Sequence, residues 1–151
     1  MKVVVQSEPL SPYQAVEAYQ QESIRAGSYG AAVTFVGVMR DFNDGADASA
    51  MHLEHYPGMT EKQIEQVCTE ALEKWPIDDA LVIHRVGDIT PNDPIVLVAV
   101  WSAHRAEAFD ACRYIINYLK QRAPFWKQEK SGQKTQWVAG NTEDSGVKSG
   151  E

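Results

Sequence analysis

Residues 95–124, IVLVAVWSAHRAEAFDACRYIINYLKQRAP, contain the clearest structural pattern of the chain, an apolar run followed by a long helical repeat. The apolar and β-branched residues up to Ser102 predict a strand of the core sheet. Ser102 is expected to cap the helix that follows, and Pro124 prevents that helix from continuing far beyond Arg122. Its predicted buried stripe consists of Ala108, Phe109, Cys112, Ile115, Ile116 and Leu119.

Further strands are predicted on both sides of this stretch, at residues 1–6, 30–39, 50–56 and 80–86. The run at 30–39, GAAVTFVGVM, is rich in β-branched and aromatic residues, which predicts a buried strand. Residues 125–130 and 135–138 flank a Ser-Gly pair as a predicted hairpin. Residues 87–94, GDITPNDP, have the composition of a turn.

Two shorter helices are expected earlier in the chain. The first is predicted to begin with Ser11 as its cap and Gln14 completing a capping box, and to stop at Gly27. The second is predicted to be capped by Thr60 and to end before Pro76. Its expected buried residues are Ile64, Val67, Cys68, Ala71, Leu72 and Trp75.

Length and composition indicate one compact domain, because 151 residues with 44% hydrophobic side chains can bury a single core. Hairpins beside alternating strands and helices imply antiparallel pairing, so an α+β fold is expected. Residues 1–138 are predicted to form the domain. Residues 41–49 have the composition of an exposed loop, and residues 139–151 that of a flexible polar tail.

The charge balance restricts the function. A formal net charge of -7 argues against a general nucleic-acid binder, because such binding comes mainly from Lys and Arg that neutralise phosphates. Seven of the 14 Lys and Arg residues nevertheless lie between Arg105 and Lys134, which predicts a local anion site. The first residues show no signal peptide or membrane span. Cys68 and Cys112 lie among apolar residues without a pairing pattern, so a cytoplasmic protein is expected.

Three cationic segments are candidates for this anion site. The sequence SAHR begins a helix, where unpaired amides and the helix dipole favour an anion and where His104 and Arg105 add directed donors. Lys120 and Lys127 flank a turn, where neighbouring cations can depress a lysine pKa enough for base or nucleophile chemistry. Arg40 closes a predicted strand. The alternatives are a solvated first helical turn and lysines that gather at a helix end because of its dipole.

A metal site is not expected from the four histidines. His52 and His55 are the closest pair, but residues three apart on a strand point to opposite faces and cannot converge on one ion. Cys112 is not expected to act as a nucleophile, because a thiol on the buried stripe of a helix is usually inert.

Five segments, VTFVGVMR, LEHYPGMTEK, VIHRVG, SAHR and YLKQRAPFWK, resemble in order and spacing the MoaE family, the large subunits of molybdopterin synthase. The resemblance covers residues 30–137, which are 108 of the 151 residues. It implies an α/β hammerhead-type fold with an additional antiparallel β subdomain, and a heterotetramer in which a small ubiquitin-like, MoaD-like sulfur carrier binds at each end of a central homodimer. The thiocarboxylated Gly-Gly terminus of the carrier would donate sulfur in two rounds to cyclic pyranopterin monophosphate. This sulfurtransferase reaction makes the dithiolene of molybdopterin, and the resemblance implies no metal or dissociable cofactor.

By position, the resemblance implies that Lys120 is the catalytic lysine nearest the terminal glycine of the carrier and that Lys127 is a second essential cation. Arg40, His104 and Arg105 would hold the phosphate and the pterin. The other positions that it places along the site are Val38, Met39, Gln128 and Glu129. Position 38 can be basic in relatives, and Val38 lacks that charge.

The predicted length of the last helix separates two of these groups. His104 and Lys120 are 16 residues apart in the sequence, and at about 1.5 Å per residue the helix separates them by roughly 24 Å. One small substrate cannot contact both residues of a single chain. We therefore predict that each site takes Arg40, Lys120 and Lys127 from one protomer and His104 with Arg105 from its partner.

Two other classes of function remain as alternatives. The chain could be a non-catalytic module that binds a ubiquitin-like partner or an anionic metabolite, and the presence of both lysines argues against this. It could also be a phosphate-ester hydrolase, but the sequence offers no convincing metal cluster or nucleophile elbow for that chemistry.

Overall fold

The computed structural model describes residues 1–41, 50–131 and 134–139, and of residues 128–131 and 134–139 it describes the backbone. In these ranges the strands are β1 (Lys2–Gln6), β2 (Ala31–Val38), β3 (Ala50–His55), β4 (Ile77–Arg85), β5 (Gly87–Ile89), β6 (Pro94–Ser102), β7 (Phe125–Ser131) and β8 (Lys134–Ala139). The helices are α1 (Pro12–Ser23), α2 (Met59–Lys74) and α3 (Arg105–Arg122). Mixed helices and sheets confirm the predicted α+β class.

The predicted strands and helices are present within one to three residues at most of their ends, and β7 and β8 form the predicted hairpin. The predicted turn at 87–94 also contains a short strand, β5. The loop predicted at 41–49 lies outside the described residues beyond Asp41, and the tail predicted at 139–151 lies outside them beyond Ala139. No helix in the described ranges combines the length and the apolarity that crossing a bilayer requires.

Two four-stranded sheets organise the chain. The first has the order β1-β4-β6-β2, with β1 parallel to β4 and the other neighbours antiparallel. The second has the order β5-β3-β7-β8 and is antiparallel. In the first sheet Ala31 pairs with Ser102 at one end, and Val38 pairs with Pro94 at the other. We call these the Ser102 end and the Val38 end, and His84 lies near the Val38 end because it pairs with Val96.

Both faces of the first sheet are covered by helices. Successive side chains of β4 and β6 alternate between the two faces and so contribute to two cores. The core against α2 and α3 includes Ile64, Val82, Val96, Val98, Val100, Ile115 and Leu119. The core on the opposite face, against α1, includes Leu10, Tyr19, Leu81, Ile83, Leu97 and Trp101. The second sheet extends the first of these cores with Met51, Leu53, Ile89 and Phe125. The two sheets therefore share one hydrophobic interior.

The ends of α1 differ from the prediction. Ser11 is the N-cap residue, but its side chain makes no capping hydrogen bond, so the predicted capping box with Gln14 is wrong. Its φ of -109° and ψ of 88° fall short of the extended conformation typical of a capping side chain. The helix ends at Ser23, before the predicted stop at Gly27, because Ile24 is already extended.

The two other predicted caps are also wrong. The N-cap of α2 is Gly58, not Thr60. Its φ of 87° is a conformation that glycine adopts readily. The Thr60 hydroxyl instead accepts the N–H of Tyr56 at 3.0 Å and donates to the carbonyl of Pro124 at 2.9 Å, which ties the start of α2 to the turn after α3. Ser102 is the last residue of β6, and the N-cap of α3 is His104.

Two segments with a buried pattern are partly open to solvent. Phe109, predicted in the buried stripe of α3, is 53% exposed, and Ile116 is half-buried. β2 is the edge strand of its sheet, not a buried strand, and Phe35 on it is 37% exposed. Phe35 alternates with Thr34 and shares the face of Val33, which packs toward α3. We call the partly exposed apolar residues Phe35, Phe109 and Ile116 the α3–β2 flank.

An ion pair fixes the end of α3 to α2. The Arg122 guanidinium donates two hydrogen bonds to the Glu70 carboxylate, at 2.7 Å and 2.9 Å, and the Tyr114 hydroxyl donates a third at 2.7 Å. The bonds from Arg122 and then Tyr114 lower the pKa of Glu70 to about 2. This network holds the last turn of α3, two residues beyond Lys120.

We expect Glu70→Gln to lower the melting temperature at neutral pH, because it removes the carboxylate that Arg122 binds. The folded-state pKa of Glu70 lies below its ordinary value of 4.5. Its stabilisation is therefore fully present above that ordinary pKa and is lost as the pH falls toward about 2. Thermal unfolding should show a difference between wild type and variant that shrinks through this window. Glu73→Gln, on an exposed position of the same helix, is the control, and a pH-independent difference would contradict the prediction.

Candidate active site

Helix α3 runs back along β6 from the Ser102 end of the first sheet. At its middle, the thiol of Cys112 lies 3.8 Å from the carbonyl oxygen of Val98. The eight residues that follow Cys112 advance the helix by about 12 Å, so Lys120 in the last turn lies at the Val38 end. The predicted continuous helix is confirmed. Its two ends carry two different groups of candidate residues.

Lys127 approaches the Val38 end through the second sheet. β7 begins at Phe125, directly after Ala123 and Pro124, which follow the end of α3. Phe125 and Lys127 share one face of the strand because they are two residues apart. Both are largely buried, with 5% and 7% of their surfaces exposed. Lys127 is therefore a buried lysine, a type of residue that is rarely buried unless its charge has partners.

A buried imidazole lies beside these elements. The ring of His84 stacks on that of Phe125, with centroids 3.9 Å apart and planes 20° apart. Its Nδ1 donates to the carbonyl oxygen of Arg85 at 2.9 Å, because a carbonyl can only accept, and Nε2 then carries the lone pair. Burial lowers the pKa of His84 to about 3, aided by the charges of Lys120 and His55 and opposed by the bond to Arg85. The ring is therefore neutral, and Lys120 lies close enough for its charge to lower the pKa of His84.

The segment after β2 reaches the same end of the sheet. The N–H of Met39 donates to the carbonyl of Asp93 at 3.0 Å, and the Met39 carbonyl accepts the N–H of Asn92 at 2.8 Å. These bonds fix Met39, whose side chain is buried, against the turn between β5 and β6. Val38 and Arg40 on either side are exposed. Arg40 thus lies at the end of the sheet that also holds Lys120.

His104 and Arg105 lie at the opposite, Ser102 end. His104 is the N-cap of α3 and Arg105 its first residue, and both are exposed. The five cationic or potentially cationic candidates therefore lie in two groups, at opposite ends of the first sheet. Lys120, Lys127 and Arg40 lie toward the Val38 end, and His104 and Arg105 lie a helix length away.

Gln128 and Glu129 continue β7 after Lys127, and their backbones pair with those of His52 and Met51. The ring of His52 contacts Asp88 at 2.8 Å and Glu54 at 3.0 Å. Both histidines of β3 are therefore in contact with carboxylates, since His55 also lies 3.6 Å from a carboxylate of α2.

The remaining candidates for chemistry are metal ligands and a cysteine nucleophile. No group of three or more His, Cys, Asp or Glu side chains converges as a metal site in the part of the chain that the structure describes. Cys112 is buried as predicted, and burial raises the pKa of its thiol to about 11. Sequence reasoning did not single out His84. The available signal is its position in the strand pattern, because the preceding inward residues Ala80 and Val82 are apolar and His84 is not.

The arrangement at the Val38 end suits the binding of an anion. Lys120 on α3 and Lys127 on β7 are seven residues apart, Arg40 follows β2 much earlier in the chain, and a neutral His84 adds no further charge. Fixed cations in a partly buried site stabilise negative charge that develops during a reaction, and they do so without reorganisation. They also bind phosphates and carboxylates by charge-assisted hydrogen bonds.

Together the fold and the site define an α+β protein with a basic, anion-binding centre at one end of its main sheet. The family model described as MoaE protein matches residues 5–122, and the chain belongs to that family. A molybdopterin synthase catalytic subunit from Ralstonia nicotianae is 52% identical over 124 residues, 81% of this chain and 70% of that protein. One from Vibrio cholerae is 49% identical over 143 residues, 95% of this chain and 93% of that protein. The solved structure of a molybdopterin biosynthesis MoaE protein from Burkholderia ambifaria has a TM-score of 0.80 and 37% identity, and covers 98% of this chain and 95% of that one.

Proposed function

We propose that this chain is the catalytic subunit of a molybdopterin synthase. It transfers sulfur from the thiocarboxylated C-terminus of a small ubiquitin-like carrier to cyclic pyranopterin monophosphate and so forms the dithiolene of molybdopterin. Relatives with that name match the chain over most of its length, which supports the proposal. We place the reaction in the cytoplasm, in keeping with two buried free thiols. Residues 1–138 form the catalytic domain in this proposal.

The observation that carries the proposal is the placement of Lys120 and Lys127 at one end of the first sheet. The sequence separates them by a helix end and a proline turn. In the fold Lys120 lies close enough to His84 for its charge to act on that ring, and the ring stacks on Phe125, which lies two residues before Lys127 on β7. A carrier tail that ends in glycine carries a negatively charged thiocarboxylate, which such a pair of cations can bind.

The sulfur arrives already activated as a thiocarboxylate. The site therefore has to position the two reactants and stabilise developing negative charge, and it does not need a strong nucleophile of its own. Lys120 is the cation next to the terminal glycine of the carrier, and Lys127 is the second. Arg40, with His104 and Arg105, holds the phosphate and the pterin. Further positions along the site are Val38, Met39, Gln128 and Glu129.

Each site in this proposal is built by two protomers. The α3–β2 flank is apolar in sequence but open in the single chain, which is the property of a surface that a second copy covers. A two-fold axis near the middle of α3 would place two such helices antiparallel. The Arg105 end of one helix would then lie beside the Lys120 end of its partner. Such an arrangement supplies His104 and Arg105 to the distant lysines.

We expect Phe109→Asp to convert the dimer into monomers, because the substitution places a charge on the apolar flank, where its burial is costly. Sedimentation velocity measures the change directly. Tyr13→Asp is the matched control, because Tyr13 is an aromatic residue on α1 that is 72% exposed, and its replacement should leave the dimer intact. A dimeric Phe109→Asp protein would exclude this surface as the interface.

The proposed function is tested by mixing the purified chain with a thiocarboxylated carrier subunit and cyclic pyranopterin monophosphate. Formation of the dithiolene product is the expected result. Confirmed binding of the carrier with no product would favour the non-catalytic module that binds a ubiquitin-like partner.

A further inference from the structure

We propose that His84 is a positioning residue of this site: its fixed ring holds Phe125, and through β7 Lys127, in place beside the last turn of α3. The assignment rests on the proposed function only for the reaction that serves as its assay. The contacts themselves belong to the fold.

Two contacts fix the imidazole. The Nδ1 hydrogen bond to the Arg85 carbonyl sets the rotation of the ring, and the Phe125 ring lies against its face. An apolar side chain could also be buried at this position, as Val82 is on the same face of β4. What the imidazole adds over an aliphatic side chain is first a flat ring on which Phe125 stacks. The hydrogen bond to Arg85 makes a smaller contribution by setting the orientation of that ring, because hydrogen bonds weaken steeply when they are misaligned. The Phe125 ring stacks on the imidazole, so its orientation is fixed as well.

The position of Phe125 affects the position of Lys127, because both residues belong to β7. The two residues lie on one face of β7, about 7 Å apart along the strand, and the register of β7 against β3 begins at the pair Phe125 and His55. A shift of Phe125 therefore shifts the start of the strand that carries Lys127. A misplacement of about 1 Å at a reacting group can cost roughly 100-fold in rate. A side chain that never touches substrate can thus affect the reaction.

The lack of charge on His84 matters for the same site. The titratable groups that act on it are Lys120 from α3 and His55 from β3. A protonated imidazole would add a positive charge near Lys120, and like charges oppose each other's ionisation. Burial and these neighbours keep the ring neutral. The positive charge available to the thiocarboxylate then comes from the lysines.

Two neutral variants separate the parts of this assignment. His84→Phe keeps a flat ring against Phe125 and loses the donor, whereas His84→Asn keeps an amide donor near the position of Nδ1 and loses the ring. We expect kcat to fall by about tenfold or more in His84→Asn and by about threefold in His84→Phe, with the Kd for the carrier unchanged. Val82→Ala, on the same face of β4, should lower the melting temperature without this loss of kcat. Phe125→Leu removes the ring from the other side and should reproduce the loss of His84→Asn.

Two further readouts distinguish positioning from a general loss of stability. In a double-mutant cycle under single-turnover conditions, His84→Asn should add little to Lys127→Ala, because both act on the same group. Hydrogen exchange of the β7 amides should be faster in His84→Asn than in wild type, with little change in His84→Phe, and this measurement needs no substrate. Full multiplication of the two rate losses, or unchanged exchange in β7, would overturn the proposal. A wild-type protein that makes no product would count against the proposed function alone, since the exchange measurement still decides the role of His84.

Discussion

Lys120→Ala is expected to reduce the rate of dithiolene formation by about 100- to 1000-fold, the range found when one fixed stabiliser of developing charge is removed. The variant should fold normally, because Lys120 is only half-buried and lies outside the hydrophobic core. Single-turnover rates with the thiocarboxylated carrier and cyclic pyranopterin monophosphate measure the loss. The affinity for the carrier should change little, because a stable protein interface involves about 20 to 30 residues on each side, of which Lys120 would be one.

Lys62→Ala is the matched control, because Lys62 is an exposed lysine on α2. It should retain the wild-type rate and the wild-type melting temperature. A Lys120→Ala protein that keeps more than about a tenth of the wild-type rate would remove Lys120 from the chemistry.

The second large effect is expected when two inactive variants are combined. Lys120→Ala and His104→Ala chains should each form dimers with two damaged sites. In a mixed dimer with shared sites, one site receives both lesions and the other receives neither. Random mixing of equal amounts therefore restores about a quarter of the wild-type number of sites, a large rise over either parent.

Co-expression with two different affinity tags isolates the mixed dimers, which should show about half of the wild-type activity per dimer. Lys120→Ala mixed with Lys127→Ala is the informative control. Both lysines come from the same protomer in this proposal, so neither site of that mixed dimer is intact and activity should stay low. Equal recovery in both mixtures, or no recovery in verified mixed dimers, would contradict the assignment of residues to protomers.

Most of the fold could be predicted because its signals are local. The apolar run that became β6 and the helical repeat that became α3 each identify an element without reference to the rest of the chain. Strand β5 could not be predicted, because its three residues form a strand only when β3 offers an edge to pair with. The predictions of the helix caps were wrong for a related reason. Thr60 has the composition of a cap, but its hydroxyl bonds to Pro124, which is distant in sequence.

The candidate site could be predicted in its residues but not in its geometry. Lys120 and Arg105 carry a signal because each lies at an end of α3, where ions interact with the helix dipole. Only the register of β2 and β6 shows which of these ends lies near Arg40. The exposed Phe109 illustrates a further limit, because the helical period predicts burial but does not tell whether the same chain or a second copy provides the cover.

The length of α3 has a consequence for how these proteins can tolerate change. Deleting one residue from its middle would shorten the helix by about 1.5 Å and turn its last residues by about 100° relative to its first. In a dimer with shared sites, Lys120 of the altered chain serves one centre and Arg105 of the same chain serves the other. A single deletion in one subunit would therefore damage two centres at once, and a normal partner could rescue neither. Insertions and deletions should accordingly be confined to the loops, and α3 should keep a constant number of residues wherever this way of building the site is used.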